Sequence, residues 1–450
     1  MKLIQLGALI GLCSSLACGQ TPLSLQTSKE LALKQSASLK NSALETEAAK
    51  AVKKSAFMNY LPKVSAQLLG FQAINPLVSY QMPGGNLPVY DGNPANLRTA
   101  TQFAYFPGAN IKALQRTGVG FLTITQPLYA GGRIQRGNEL AQLGVNIKEN
   151  QQRLTRDEVL LKTEQQYWQL VSLQEKHKTI ARYEALLASV DKQVTDAFQS
   201  GLIVRNDVLK VQLKKSELQA NKNKLNSGHQ LALRQFCHTL GLPYDSTLVV
   251  SENLDQLPLP QSMYANPEAA VANRTACQLL EQAVKATQLQ TRLKAGETLP
   301  QAAIGLAGYQ VAGLMKGGSG ISNGLLYATV SIPISDWWTN KYAVKEQQIR
   351  EQIAENTLND TKGLLRLQTE KAWVDVVESY RQISVLEQAK LQATEHVKVS
   401  QSSYASGLIT ISDLLEAQAL LTEAADKLIE AKTQYQFNRA TYSQLTNPHP

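Results

Sequence analysis

The sequence predicts a mainly α-helical chain in which very long helices lie side by side, joined to four strands suited to a membrane β-barrel. Three observations carry this. Two proline-free stretches, about 131–199 and 336–405, each read as one long helical segment. Two sets of motifs recur at one fixed offset. The strand segments between them alternate hydroxyl-bearing with aliphatic residues.

The chain has 450 residues, enough for two or three domains. Gln, Ala, Leu, Lys and Ser dominate long stretches, a composition that favours helix. The formal charge is +9, but basic residues are interspersed with acidic ones and form no dense block. That reads as solvated helix faces and argues against a nucleic-acid partner.

At the N-terminus, Lys2 precedes an apolar run from Leu3 to Leu16, followed by Ala17-Cys18-Gly19. A positive start, a short apolar core and a small-residue exit read as a secretory signal peptide over residues 1–19. Cleavage is expected after Gly19. Alternatively, Cys18 is a lipidated cysteine, although Ser15 stands where a lipidation signal prefers Leu. With Cys13 and Cys18 in this segment, Cys237 and Cys277 remain, too few for a disulfide framework. No later apolar run has the length of a transmembrane helix, so a membrane span would have to use strands.

The repeat organises everything after residue 19. Phe198-Gln-Ser-Gly201-Leu202-Ile203 resembles Tyr404-Ala-Ser-Gly407-Leu408-Ile409, and Asp207 matches Asp413. The offset, 407 − 201, is 206. Thr123-Ile-Thr-Gln-Pro127 matches Thr329-Val-Ser-Ile-Pro333 at the same offset. Two motifs in one register mark a duplication. Leu61-Pro62 and Leu299-Pro300 lie 238 apart, so the first copy carries about 32 extra residues in the Pro/Gly/Asn-rich stretch Asn75 to Asn110, which reads as a long loop.

Each copy has the same order. A helix (about 26–58 and 266–296) leads to a strand (63–72 and 301–311), a loop and a second strand (117–128 and 324–334). The long helical segment, a Ser-Gly turn and a last helix (about 207–240 and 413–445) follow. Copy one is assigned to 20–241 and copy two to 266–450, with 242–265 as linker. Asn266-Pro267-Glu268 reads as a helix start, and Asn206 and Ser412 as N-caps of the last helices. Helices of some 70 residues would reach roughly 100 Å, and such helices are normally stabilised in coiled coils or bundles. Leu154, Leu161 and Trp168 recur at sevens, and Trp168 and Trp373 read as packing between helices.

The strands alternate alike in both copies. Phe121, Thr123 and Thr125 match Tyr327, Thr329 and Ser331, while Leu122 and Ile124 match Ala328 and Val330. A wet face and an aliphatic face suit a membrane barrel with a polar lumen. They equally suit a half-buried sheet in water. Four strands cannot close around a pore, and open edges are costly in lipid, so membrane strands would require several chains to share one barrel.

Signal peptide, duplicated plan and paired Ser-Gly-Leu-Ile turns together resemble the TolC-like outer-membrane efflux family over essentially all of the mature chain. The resemblance implies a homotrimer: a twelve-stranded barrel in outer-membrane lipid above a twelve-helix periplasmic tunnel. It implies docking to a periplasmic adaptor and an inner-membrane pump in tripartite efflux or type I secretion. It casts Gly201, Leu202, Gly407 and Leu408 as adaptor-docking tip turns, and Asp413 and Glu416, with Asp207 and Lys210 from the first copy, as the tunnel aperture. A ring of such carboxylates favours cations, and Lys210, standing where Glu416 does, would offset it.

No catalytic constellation, cofactor motif or metal site emerges. Gly317, Gly318 and Gly320 lack the Lys-Ser/Thr of a phosphate loop and read as a strand connection. His177, His229, His238, His396 and His449 are scattered in sequence. Trp337-Trp338 reads as an interface anchor or as junction packing. The competing reading is a periplasmic coiled-coil scaffold or adaptor without a pore. The paired alternating strands speak against it, because their aliphatic faces need lipid or a core.

Overall fold

The computed structural model describes residues 22–255, 257–313 and 320–446. The signal segment with Cys18, and Gly317 and Gly318, lie outside these residues. In chain order the elements are α1 (Leu25–Gln35), α2 (Ala37–Phe57), β1 (Lys63–Gln72), β2 (Val78–Met82), β3 (Gly85–Pro88), β4 (Phe103–Phe106), β5 (Ala109–Ala113), β6 (Arg116–Ala130), α3 (Arg133–Gln199) and α4 (Arg205–Leu240). Then come α5 (Pro267–Asn273), α6 (Thr275–Gly296), β7 (Gln301–Ala312), β8 (Ile321–Ser331), α7 (Asp336–Ala405) and α8 (Ile411–Thr446). The long helices α3 and α7 are unbroken over 67 and 70 residues.

Each helix expected to open a copy is instead two. The first breaks at Ser36 and the second at Arg274, both with extended ψ. The breaks are 274 − 36 = 238 apart, the spacing of the two Leu-Pro pairs, so the break belongs to the duplicated plan. Asn266 caps α5 as expected, accepting from the Glu268 amide at 2.9 Å with Pro267 in the first turn.

The chain divides into two compact units. One comprises Ala48–Val145 and Ala283–Ala354 and contains the strands. The other takes the residues up to Glu47, Asn146–Gln282 and those from Glu355 on.

In the helical unit, one core gathers Tyr167, Leu170, Leu233, Phe236 and Leu240, and another gathers Val376, Tyr435, Tyr442 and Leu445. The Tyr167 and Phe236 rings meet at 6.1 Å between centroids, and those of Trp373 and Tyr442 at 5.2 Å. Since 373 − 167 and 442 − 236 both equal 206, the duplication conserves a ring-on-ring contact. Trp168 and Trp373 do pack between helices, but it is Tyr167 that pairs with Trp373 across the repeat. Cys237 and Cys277 are free and buried.

In the other unit the sheet order is β1-β6-β7-β8, antiparallel throughout. The second strand of copy two ends at Ser331, before Pro333, rather than at 334. In copy one, β6 continues past Pro127 to Ala130 by shifting register between Pro127 and Tyr129. Proline cannot donate to a ladder, and a bulge accommodates it in a central strand. The stretch expected as a long loop is a ribbon: β2 pairs with β5 and β3 with β4, capped by a short helical turn at Pro94–Arg98.

Candidate functional site

Two features carry chemistry, one in each unit. The first is the four-stranded sheet. Direct cross-strand partners share a face, so the register Val64–Ile124–Leu306–Leu326 draws one aliphatic row across all four strands. Ala66–Leu122–Gly308–Gly324 is the row beside it. The opposite face carries Ser65, Gln67, Thr123, Thr125, Tyr309, Asn323 and Tyr327. There the Thr125 and Tyr327 hydroxyls hydrogen-bond at 3.0 Å, and the Phe121 and Tyr309 rings lie 6.5 Å apart. The expected alternation is therefore present.

Nothing among the described residues covers the aliphatic face. Leu68 is 91% exposed, Leu326 75% and Val330 70%. A water-soluble sheet with one polar face would bury the other against a core. This sheet leaves both open, and its edges β1 and β8 have no partner among the described strands. β1, β7 and β8 have 10, 12 and 11 residues, close to the roughly 9–11 that a tilted strand needs to cross a bilayer. At the junction beyond β8, Trp337 donates its indole N–H to the Thr298 carbonyl at 2.9 Å, while both Trp337 and Trp338 remain exposed.

The second feature is the pair of helix–helix turns. Each closes by the same hydrogen bonds: Leu202 N–H to the Ala197 carbonyl and Leu408 N–H to that of Ser403, both 2.9 Å. Gly201 N–H donates to Phe198 and Gly407 N–H to Tyr404. This is the Schellman arrangement, and it needs a left-handed residue; Gly201 and Gly407 have φ of 71° and 72°. A Cβ at either glycine would meet no atom within 4 Å, so substitution strains only the backbone. Gly407→Ala should therefore destabilise the turn by about 1–2 kcal/mol without disturbing its neighbours. Hydrogen exchange would read this as faster exchange confined to Leu408 and the last turn of α7.

The last helices begin earlier than expected, which moves their caps. Val204, not Asn206, precedes α4 and gives no side-chain cap. Thr410, not Ser412, caps α8: the Asp413 carboxylate accepts from the Thr410 amide at 2.9 Å and its hydroxyl at 2.8 Å. The signal was present as Thr-x-x-Asp, a capping-box pattern.

Of the residues assigned to the aperture, the structure groups three. Asp207 and Lys210 form an ion pair at 3.3 Å. The Thr410 hydroxyl and amide hold the Asp413 carboxyl below its usual range, and the Lys210 charge adds to this. Glu416 is exposed and makes no ion pair among the described residues. Tyr404, which sequence reasoning passed over, packs with Ile411, Leu414 and Val211 in the core joining the two turns. Burial raises its phenol pKa, and the Asp207 charge adds to that.

A carboxyl held down stabilises the fold above its unfolded-state pKa and loses that contribution as pH falls through the depressed value. The Asp413 cap should thus persist at mildly acidic pH and open only below the ordinary carboxylate range. A carboxyl-carbon NMR titration, assigned with Asp413→Asn, would follow it. In Thr410→Ala the midpoint should return toward the ordinary value.

Leu202 and Leu408 are each 78% exposed, against 1% for Leu414 beside them. The duplication thus keeps a leucine in solvent at both turns. Two histidines scattered in sequence meet in space: the His177 and His229 rings are 5.5 Å apart, edge to face. Burial lowers both pKa values. No group of three or more potential metal ligands occurs among the described residues.

Residues 266–447 match the family model described as outer membrane efflux protein. No curated protein sequence matches. Solved structures do, over 94% of this chain. They include the outer membrane channel CmeC of Campylobacter jejuni (16% identity, 85% of that chain, TM-score 0.74). The outer membrane protein VceC of Vibrio cholerae matches with 15% identity over 95% of that chain and a TM-score of 0.71. A membrane protein from Pseudomonas aeruginosa matches with 16% identity over 90% of that chain and a TM-score of 0.74.

Proposed function

Because residues 266–447 carry an outer membrane efflux protein domain and the chain has the fold of the outer-membrane channels, we propose that it is a passive export duct of the outer membrane. It takes substrate from an inner-membrane pump in a tripartite efflux or type I secretion assembly and releases it outside. The observation that carries this is the sheet, aliphatic on one uncovered face, hydroxyl-bearing on the other and open at both edges. In lipid such a sheet survives only if β1 of one chain pairs with β8 of another until the barrel closes. Three copies would close twelve strands.

In this duct the aliphatic rows face outer-membrane lipid and the hydroxyl face lines the pore. The helices form the periplasmic tunnel, and their paired turns its tip. Exposed Leu202 and Leu408, presented by Gly201 and Gly407, dock the periplasmic adaptor. Asp413 and Glu416, with Asp207 and Lys210, surround the aperture. The Asp207–Lys210 pair supports a mouth of mixed charge.

Single-channel conductance of the detergent-extracted oligomer in a planar bilayer tests the proposal. Discrete, stable openings of modest cation preference are expected. Lys210→Glu would replace a positive charge with a negative one in each copy and raise that preference. A folded oligomer that never conducts would instead indicate a periplasmic scaffold.

A further inference from the structure

We propose that the cavity bounded by α3, α7, α8 and the segment around Leu254 binds a small amphipathic organic anion, a hydroxylated ring carboxylate in class. The cavity lies within the helical unit, is lined by none of the aperture residues, and measures about 300 Å³. That is the lower end of the volumes that hold small molecules.

Its deepest polar group is Gln418. This side chain is fully buried, and neither its amide nitrogen nor its amide oxygen has a partner. Buried amides are nearly always hydrogen-bonded, so one with both ends free beside a cavity calls for an occupant. The burial belongs to the second copy alone, because the equivalent residue, Gln212, at 418 − 212 = 206, is exposed.

The rest of the lining defines the occupant. Leu186, Leu254, Leu421 and Leu428 form an aliphatic wall that water alone does not require. Arg182 and Lys390 also line the cavity and make no ion pair among the described residues. Of the other charged lining groups, Glu175 is paired with Lys178 and Lys432 with Glu387. Asp255 is left against two unpaired cations, so the lining carries a net positive charge. A carboxylate suits Arg182 and Lys390, an apolar ring suits the leucines, and a hydroxyl suits Gln418, whose amide both donates and accepts. The assignment stands whether or not the chain conducts.

Crystals of the full-length, detergent-extracted protein soaked with 3-bromo-4-hydroxybenzoate provide the test, with the bromine located by its anomalous signal. The expected result is a single peak in the cavity, with the phenol oxygen within hydrogen-bond reach of Gln418. Calorimetry in solution should show binding weakened at least tenfold by Gln418→Leu. The double variant Arg182→Ala/Lys390→Ala, which removes two cations outside any ion pair among the described residues, should weaken it likewise. Water filling the cavity at saturating probe, side chains of a second copy filling it, or binding at crystal concentration only would each overturn the proposal. So would binding that neither variant weakens.

Discussion

Leu306→Arg is expected to abolish the heat-stable oligomer in the outer-membrane fraction, while Thr123→Arg leaves it in place. Leu306 lies midway along β7 and in the middle of the aliphatic row with Val64, Ile124 and Leu326. An arginine on the lipid face of a barrel costs about 2–4 kcal/mol at the bilayer midplane. In a shared barrel every copy bears that cost, and the sum rivals the roughly 5–15 kcal/mol that holds a typical protein folded. Thr123 lies on the opposite face, next to Ser65 and Ala307, where an arginine would project into water. Gel mobility of unheated membrane extracts distinguishes the two. Equal loss from both variants would mean that the aliphatic face does not meet lipid.

The second large effect is expected in the helical core. Phe236→Ala empties a fully buried site packed against Tyr167. A cavity of that kind costs about 3–5 kcal/mol. Leu231→Ala, on the exposed side of the same helix at 69% exposure, should stay within about 0.5 kcal/mol of the parent. Thermal dissociation of the purified oligomer should show a markedly lower midpoint for Phe236→Ala only. Similar midpoints would show that the assembly, rather than this core, limits stability.

Much of this architecture was legible because it is periodic or duplicated. The alternation Phe121-Leu122-Thr123-Ile124-Thr125 states its two faces outright, and the 206-residue offset doubles every inference drawn from it. The paired Ser-Gly-Leu-Ile turns likewise carried the resemblance to the TolC-like efflux family, which the matched domain bears out. Of the matched structures, CmeC is an outer membrane channel.

What escaped is set by non-local contacts. The ribbon of β2–β5 was hidden because Pro76, Pro83, Gly84, Pro88 and Pro94 outweigh the weak alternation around them. Its ladder depends on pairing Val78 with Ala113, far along the chain. The breaks at Ser36 and Arg274 carry no proline or glycine, so no local signal marked them. The caps were misplaced because Asn206 and Ser412 are good caps by identity, whereas helix onset is fixed by Ile411 and Leu414 seating in the core. The burial of Gln418 has no sequence signal, since it comes from the packing around α8.

The open edges of the sheet also bear on inheritance. In a three-chain duct each copy supplies both an edge that donates and an edge that receives, so a chain with a ruined β1 or β8 still joins a healthy neighbour by its intact side. A cell making equal amounts of normal and edge-damaged chains would then assemble only roughly one wholly normal duct in eight. Lesions at Val64 or Leu326 should therefore behave as dominant poisons. Chains that fail before they meet a neighbour, as with a collapsed helical core, should be recessive.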